Sequence, residues 1–260
     1  MDAMQLRMPP PSSAEVGREI DLEIVVPAFN EQQRIAPTLL ALVEHMRSMS
    51  LCGVVRVVDN GSSDRTADVV DRVIAAVGAD RVIISGCSRR GKGSAVTRGV
   101  LSSVARWIGF CDADLATPAS ALDDAVSYLK EGWPVVVGSR RCKGAVLHVE
   151  QPLLRQAGAK AFHFATRELA GGVLDTQCGF KFFQRTAAHQ IFAHTAISGF
   201  AFDVEVLAHA RALNLPVKEF PVEWTDRPGS TFRPMRDGLE VALDLWALRK
   251  EIRAAGTARV

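Results

Sequence analysis

Short apolar runs alternate with amphipathic helical patterns through the first half of the chain. The apolar runs are rich in β-branched residues and nearly unbroken by polar ones, which is typical of strands buried on both faces of a sheet. The pattern predicts an α/β fold of the Rossmann-like type, with a mostly parallel central sheet and helices on both faces. The predicted strands are Leu22–Val26, Val54–Val58, Arg81–Ile84, Trp107–Cys111 and Pro134–Val137, and the helices between them are Ile35–Met46, Asp64–Val77, Gly93–Arg106 and Ala119–Lys130.

The second half of the chain is less regular. Its patterns predict extended segments at Phe180–Phe183 and Pro216–Trp224, and helices at Leu153–Leu169, Asp203–Leu213 and Met235–Arg253. We find no internal repeat and no linker. The sequence therefore predicts one domain over residues 20–255, preceded by a flexible tail at residues 1–19 that contains three consecutive prolines.

Charge and cysteine content exclude several classes of protein. The 31 basic and 29 acidic side chains give a net charge of +2, so the chain lacks the basic field of a nucleic-acid-binding protein. The five cysteines are odd in number and not clustered, which argues against a disulfide framework and a structural zinc site. These features predict a cytoplasmic protein, and no apolar run is long enough to predict a transmembrane helix.

Polar and glycine-rich residues follow each predicted strand of the first half. In an open parallel sheet, ligands bind beyond the carboxyl ends of the strands, so we expect these residues to share one site. A helix cap explains one such cluster but explains all of them poorly. The residues are Pro27, Ala28, Asn30 and Glu31 after the first strand, Asp59 after the second, Lys92 after the third, Asp112, Ala113 and Asp114 after the fourth, and Arg140 after the fifth.

Asp112 and Asp114 are the sharpest feature of this edge. Two carboxylates at the end of a buried strand need compensation, and a hard divalent cation is their natural partner. Mg²⁺ and Mn²⁺ bind carboxylates together with substrate phosphates and water. The sequence has neither the phosphate-binding loop of nucleoside triphosphatases nor a dinucleotide-binding glycine motif after its first strand.

The combined motifs resemble inverting glycosyltransferases of family 2, which have the GT-A fold. The resemblance is carried by PAFNE, VVDNGSSDRT, GKGSAVTRG and CDADLATP in the first half. The later segments DTQCGFKFF and FAFDVEVL narrow it to polyprenyl-phosphate sugar transferases such as the dolichyl-phosphate β-glucosyltransferases. It covers about residues 21 to 250.

The resemblance implies metal-dependent transfer of a hexose, with inversion, from a nucleotide sugar to a polyprenyl phosphate. A UDP-sugar is favoured over a GDP-sugar as donor. Asp112 and Asp114 would then hold Mg²⁺ or Mn²⁺, with Asp114 the more direct ligand. The donor would contact Pro27, Ala28, Asn30, Glu31, Asp59, Lys92, Asp112 and Ala113.

Two alternatives stay open at this point. The same donor chemistry could serve a soluble hydroxyl acceptor, such as a natural product or a saccharide. A non-catalytic module that binds nucleotide sugars is the alternative of another class.

An alcohol acceptor needs a base, and Asp203 and Glu205 are the candidate catalytic residues. They lie among aromatic and aliphatic residues, where burial would raise the pKa of an unpaired carboxylate. A helix cap and a first-turn acid are the alternative roles. Asp175 and Gln177 are candidates for the sugar pocket or for a turn in a loop.

A phosphate acceptor needs cations more than a base. The candidate acceptor-binding residues are Arg140, Arg155, Lys181 and Arg227, because arginine and lysine suit phosphate. The last predicted helix carries Leu243, Trp246 and Leu248 together with basic residues, which makes it a candidate for peripheral membrane contact. Packing on the protein's own core is the alternative for this helix.

Overall fold

The computed structural model describes residues 19–148, 162, 164–226 and 234–257, with the backbone alone for 234–240 and 253–257. The strands are β1 (Leu22–Ala28), β2 (Gly53–Asp59), β3 (Val82–Gly86), β4 (Trp107–Cys111), β5 (Val135–Ser139), β6 (Val146–Leu147), β7 (Phe180–Gln184), β8 (Val217–Pro221) and β9 (Glu223–Trp224). The helices are α1 (Ile35–Ser48), α2 (Thr66–Val77), α3 (Lys92–Ser102), α4 (Leu122–Lys130), α5 (Arg185–Phe192), α6 (Phe202–Ala212) and α7 (Pro234–Thr257).

The central sheet has seven strands in the order β3-β2-β1-β4-β7-β5-β8. Strand β7 runs antiparallel to both of its neighbours, and the other neighbouring strands are parallel. Strands β6 and β9 form a separate two-stranded sheet. The prediction of a mostly parallel sheet flanked by helices is confirmed.

Hydrophobic cores cover both faces of the sheet. Side chains alternate between the faces of a strand, so Ile24 and Val26 of β1 join one core while Val25 joins the other. The first core includes the apolar faces of α1, α2 and α4, and the second includes those of α3, α5 and α6. Burial on both sides explains why the strands are almost uninterrupted apolar runs.

The direction of β7 is the main difference from the predicted topology. Its aromatic run indicated a strand, but a run of five residues carries no signal for direction. Because β7 is antiparallel to β4, it begins where β4 ends, and Cys111 pairs with Phe180. The residues before β7 therefore lie beside Asp112.

Several other elements bear on the predictions. The helices predicted at Asp203–Leu213 and Met235–Arg253 are confirmed as α6 and α7, whereas α5, β6 and β9 were not predicted as separate elements. Most of the helix predicted at Leu153–Leu169 and most of the predicted tail at 1–19 lie outside the described residues. Within the part of the chain that the structure describes, no helix is both long and apolar enough to cross a membrane.

Candidate active site

The loops after β1 and β2 are locked together by Asn30. Its side-chain oxygen accepts a hydrogen bond from the backbone amide of Ser63 at 2.8 Å, and its backbone amide donates to Ser62 Oγ at 2.9 Å. Asn30 has a φ of 57°, a left-handed conformation that asparagine tolerates better than most residues. Its position at the carboxyl edge of the sheet is as predicted, and its contacts shape the loops.

Glu31 holds an arginine at the same edge. Its carboxylate forms two hydrogen bonds of 2.7 Å with Arg34, and its amide donates to Thr66 Oγ1 at 2.8 Å. The hydrogen bonds that Arg34 donates to Glu31 raise the pKa of Arg34, and the charges of Asp114 and Asp112 raise it further. Arg34 is therefore a cation beside the predicted metal ligands that sequence reasoning missed. Its only signal was its position in the loop after the first strand.

The other predicted donor-binding residues of this half also lie at the carboxyl edge. Pro27 and Ala28 are the last residues of β1, and Ala28 pairs with Asp59 at the end of β2. The Asp59 carboxylate accepts hydrogen bonds from the amide and hydroxyl of Ser62. Ala113 is buried, and its carbonyl accepts a hydrogen bond from Thr38 Oγ1 at 2.7 Å.

Asp112 and Asp114 follow β4 directly and place two carboxylates side by side at its end. Burial and the neighbouring Asp112 charge raise the pKa of Asp114 above its usual range. The amide of Ala116 donates to Asp114 Oδ1 at 3.1 Å, and the carboxylate of Asp112 is 41% exposed. The pair is therefore accessible and only partly compensated.

Gly179 gives the Asp112 side chain its space. A Cβ at position 179 would overlap the Asp112 carboxylate, and the Asp112 amide donates to the Gly179 carbonyl at 3.2 Å. The antiparallel entry of β7 brings this glycine against the metal-ligand candidate. The sequence placed Gly179 in a motif, but the contact required the direction of β7.

Lys92 reaches the acidic pair from the start of α3. Its ammonium lies 2.7 Å from Asp112 Oδ1 and 3.7 Å from Asp203 Oδ2. Burial lowers the pKa of Lys92, but the charges of Asp112 and Asp203 outweigh this effect and keep the pKa above its usual value. Lys92 therefore supplies a fixed positive charge at this edge.

The loop before α3 is held in place by Asn60. Its side-chain amide donates to the Arg89 carbonyl at 2.8 Å, and its side-chain oxygen accepts from the Gly91 amide at 2.6 Å. Gly91 has a φ of +114°, and a Cβ there would overlap the Ser198 carbonyl. The Gly91-Lys92-Gly93 segment therefore has a defined backbone position.

The candidate base Asp203 is paired, contrary to the predicted unpaired environment. It is 3% exposed and forms an ion pair with Lys181, while its other oxygen faces Lys92. Lys181 is fully buried and also donates to the Cys178 carbonyl at 2.7 Å. These partners of Lys181 are internal, and its contact with an acceptor phosphate stays a prediction.

Glu205 is buried and binds backbone amides. Its two oxygens accept hydrogen bonds from the amides of Ala196 and Ile197, at 2.8 and 2.9 Å, and the residue is 1% exposed. The loop that it holds contributes the Ser198 carbonyl, which accepts from the Gly93 amide at 2.9 Å. Glu205 therefore fixes a loop against the start of α3, and its role as a catalytic base stays a prediction.

Arg140 is engaged by an internal carboxylate. It forms a two-bond pair with Asp175, at 2.7 and 2.8 Å, and its guanidinium lies 5.4 Å from the centre of the Trp224 ring. Asp175 Oδ1 also accepts from the Gln177 amide at 3.2 Å, which is a turn contact. The predicted acceptor-binding residues Arg155 and Arg227 lie outside the described residues.

The carboxylates of Asp112 and Asp114 fit Mg²⁺ or Mn²⁺. These ions take one or two carboxylates and complete their shell with substrate phosphates and water. Burial first, and the Asp112 charge second, raise the pKa of Asp114, and a bound cation would offset both effects. Within the described residues, no cluster of three or more His, Cys, Asp or Glu forms a ready-made metal cage. Two carboxylates suit a cation that takes its remaining ligands from substrate phosphates and water.

The mostly parallel seven-stranded sheet with its flanking helices has the GT-A fold. Among solved structures, glucosyl-3-phosphoglycerate synthase from Mycobacterium tuberculosis, in complex with Mn²⁺, UDP and glucosyl-3-phosphoglycerate, has a TM-score of 0.62 at 19% identity. The alignment covers 92% of this chain and 81% of that one. The same enzyme with Mg²⁺ and UDP also gives a TM-score of 0.62 at 19% identity, covering 95% of this chain and 85% of that one. These likenesses confirm the fold.

The sequence profile "Glycosyl transferase family 2" matches residues 23–192, and the chain belongs to this family. It is 33% identical over 254 residues to dolichyl-phosphate beta-glucosyltransferase of Dictyostelium discoideum, covering 92% of this chain and 78% of that protein. It is 35% identical over 242 residues to the mouse protein of the same name, covering 88% of this chain and 74% of that one. The resemblance drawn from the motifs is confirmed, and the protein is an enzyme rather than a binding module.

Proposed function

We propose that the protein transfers glucose from a nucleoside diphosphate sugar, UDP-glucose in preference to a GDP-sugar, to a polyprenyl phosphate with inversion. The observation that carries the proposal is the Asp112–Asp114 pair at the end of β4, with the Lys92 ammonium 2.7 Å from Asp112. This edge combines two hard oxygen ligands with a fixed cation, which suits a diphosphate bound with a metal ion. The names of the relatives support the glucosyl group and the lipid acceptor.

The leaving diphosphate must be stabilised as the glycosidic bond breaks. Mg²⁺ or Mn²⁺ held by Asp112 and Asp114 would neutralise its developing charge. Lys92 contributes a second positive charge at the same edge. Arg34 lies close enough to the two aspartates that their charges, after the hydrogen bonds to Glu31, raise its pKa. Asn30 and Asp59 order the loops beside which the nucleoside would bind.

The acceptor attacks the anomeric carbon on the face opposite the diphosphate, and this displacement inverts its configuration. A phosphate monoester is already anionic near neutral pH, so it needs no protein base. This agrees with the pairing of Asp203 and the burial of Glu205. An alcohol acceptor would need a free carboxylate as its base. The carboxylates of both candidates, Asp203 and Glu205, already have protein partners.

The test is a transfer assay with labelled UDP-glucose, Mn²⁺ and dolichyl phosphate, followed by extraction into organic solvent. We expect a labelled lipid product from the wild-type protein and almost none from Asp114→Asn. Product that forms only with a soluble hydroxyl acceptor would favour the alternative acceptor class. The absence of lipid product with every common nucleotide sugar would overturn the proposal.

We also propose that α7 touches a membrane surface near the lipid acceptor. Leu243 and Trp246 are about 60% exposed, and the Lys250 ammonium lies 4.3 Å from the centre of the Trp246 ring. A basic and aromatic helix face suits the interface of an anionic bilayer. The prediction fails for Leu248, which is 2% exposed and packs inward with Leu245.

Sedimentation with anionic phospholipid vesicles tests this contact. We expect Leu243→Ser with Trp246→Ala to lower the bound fraction of the protein while leaving its Tm within about 2 °C, since both side chains are exposed. Equal binding of the variant and the wild type would exclude this face.

A further inference from the structure

Four charged side chains of alternating sign run from the interior of the sheet to its carboxyl edge. Lys181 pairs with Asp203, Asp203 faces Lys92, and Lys92 pairs with Asp112. The first two residues are buried, whereas Asp112 is 41% exposed. The chain of charges therefore connects the buried pair to the predicted metal ligand.

The interior end of this chain is fixed by packing. Lys181 lies on β7 opposite Phe110 of β4, and its ammonium lies 5.3 Å from the centre of the Phe110 ring. It donates to the Cys178 carbonyl as well as to Asp203. A buried ammonium held by several partners has few alternative positions, so it fixes the Asp203 carboxylate in turn.

We propose that Asp203 is a positioning residue that acts through Lys92, with Lys181 as its anchor. This inference rests on the proposed function, because the ligand of Lys92 is taken to be the donor diphosphate. Asp203 Oδ2 holds the Lys92 ammonium from the protein side and keeps it directed at the edge that carries Asp112. Asp203 needs its negative charge to hold Lys92, and Lys181 neutralises that charge in the interior.

The backbone of Lys92 has a separate support from the same helix. Glu205, two residues after Asp203 on α6, holds the loop whose Ser198 carbonyl accepts from the Gly93 amide. The two acids of the FDVE segment thus position one lysine in two ways. Asp203 acts on its side chain, and Glu205 acts on its backbone.

A positioning role and a base role predict different measurements. A base acts on the acceptor, so its loss lowers kcat and leaves nucleotide affinity unchanged. A residue that positions Lys92 contributes to nucleotide binding before any acceptor is present. Calorimetric titration with UDP in the presence of Mn²⁺, without sugar or acceptor, separates the two roles.

The titration uses the wild type, Asp203→Asn, Lys92→Met and the two changes combined. We expect each single change to weaken UDP binding about tenfold, the scale of one charge-assisted hydrogen bond. The combined variant should bind no more weakly than Lys92→Met alone, because Asp203 acts through Lys92. Additive losses, or wild-type affinity in Asp203→Asn together with a fall in kcat, would overturn the proposal.

A second variant guards against a folding defect. Asp203→Asn with Lys181→Met removes both charges of the buried pair and leaves no uncompensated buried charge. It should lose the same UDP affinity as Asp203→Asn, and wild-type affinity would contradict the proposal. Glu23→Gln is the matched control, because Glu23 is another buried carboxylate paired with a basic residue, Arg56. It should lower the free energy of unfolding without changing UDP affinity.

The wild-type titration separates failure of this inference from failure of the proposed function. Wild-type protein that binds no UDP with Mn²⁺ would overturn both. Wild-type binding that survives Asp203→Asn unchanged would overturn the positioning role alone.

Discussion

Two groups of carboxylates near the carboxyl edge of the sheet have opposite electrostatic surroundings. Burial and mutual repulsion raise the pKa of Asp114 beside Asp112. Burial alone would also raise the pKa of Asp175, but the hydrogen bonds and charge of Arg140 outweigh it and lower the pKa. The first pair is only partly compensated, by Lys92, at an accessible edge, and Asp175 is neutralised by Arg140 in the interior.

The contrast separates residues that bind a ligand from residues that stabilise the fold. A partly compensated pair destabilises the free protein and gains a further partner when a ligand binds. A compensated pair stabilises the fold and has no capacity left for a ligand. Substitutions in the first group should therefore change activity, and those in the second should change stability.

Asp114→Asn should give the largest effect on activity. In the proposed function this carboxylate holds the metal ion, so its loss should reduce glucosyl transfer at least about 100-fold. The Tm of the free protein should stay the same or rise, because the change removes repulsion with Asp112. Transfer assays and thermal unfolding on the same preparations check both halves. Near-wild-type transfer would refute the metal assignment.

Arg140→Ala should give the largest effect on stability. It leaves the Asp175 carboxylate buried without its main partner, and breaking such a pair costs about 3 kcal/mol. Urea unfolding gives the change in free energy, with Arg141→Ala as the neighbouring control. A loss below about 0.5 kcal/mol would show that the pair behaves as a surface ion pair.

Gly179→Ala should affect binding more than folding. The added methyl group would displace the Asp112 carboxylate, which is the mobile end of a side chain. We expect UDP affinity in the presence of Mn²⁺ to fall about tenfold, equivalent to about 1.4 kcal/mol. Gly86→Ala is the matched control, because a Cβ at position 86 meets no atom within 4 Å. Equal affinities for the two variants would exclude this contact as a constraint on Asp112.

The smallest effects are opposite pH dependences of stability. Asp175 has a lowered pKa, so its stabilisation is present above its unfolded value of about 3.8 and is lost as the pH falls through its folded pKa. Asp114 has a raised pKa, so its destabilisation is relieved as the pH falls through a value above 3.8.

Urea unfolding of the wild type, Asp175→Asn and Asp114→Asn between pH 3 and pH 7 measures these effects. The stability advantage of the wild type over Asp175→Asn should shrink below about pH 4. The stability advantage of Asp114→Asn over the wild type should also shrink as the pH falls, beginning at a higher pH than the change for Asp175→Asn. Parallel curves for all three proteins would remove the electrostatic distinction between the two groups.

The sequence predicted the half of the sheet that is built from repeated strand–helix units. Strands β1, β2 and β4 are apolar on both faces, and their pattern is visible without any long-range information. The direction of β7 was not predictable from its five residues, because direction depends on the strands that it pairs with. The position of Gly179 beside Asp112 follows from that direction and was missed with it.

The candidate site was predictable where a residue follows its own strand. Asp112, Asp114 and Lys92 lie at the edge that the topology rule places them on. The partners of Asp203, Glu205 and Lys181 come from residues distant in sequence or from backbone groups, which a local pattern does not show. The sequence predicted that Asp203 and Glu205 lie among apolar residues, but it did not predict that their carboxylates already have protein partners.

A crystal structure with Mn²⁺ and UDP-glucose would test the central claim most directly, since the anomalous signal of manganese locates the ion. We predict manganese bound by Asp114 and the diphosphate at the end of β4, with the Lys92 ammonium within hydrogen-bonding distance of a phosphate oxygen. Manganese and nucleotide bound away from β4, with Asp112 and Asp114 free of both, would contradict the claim.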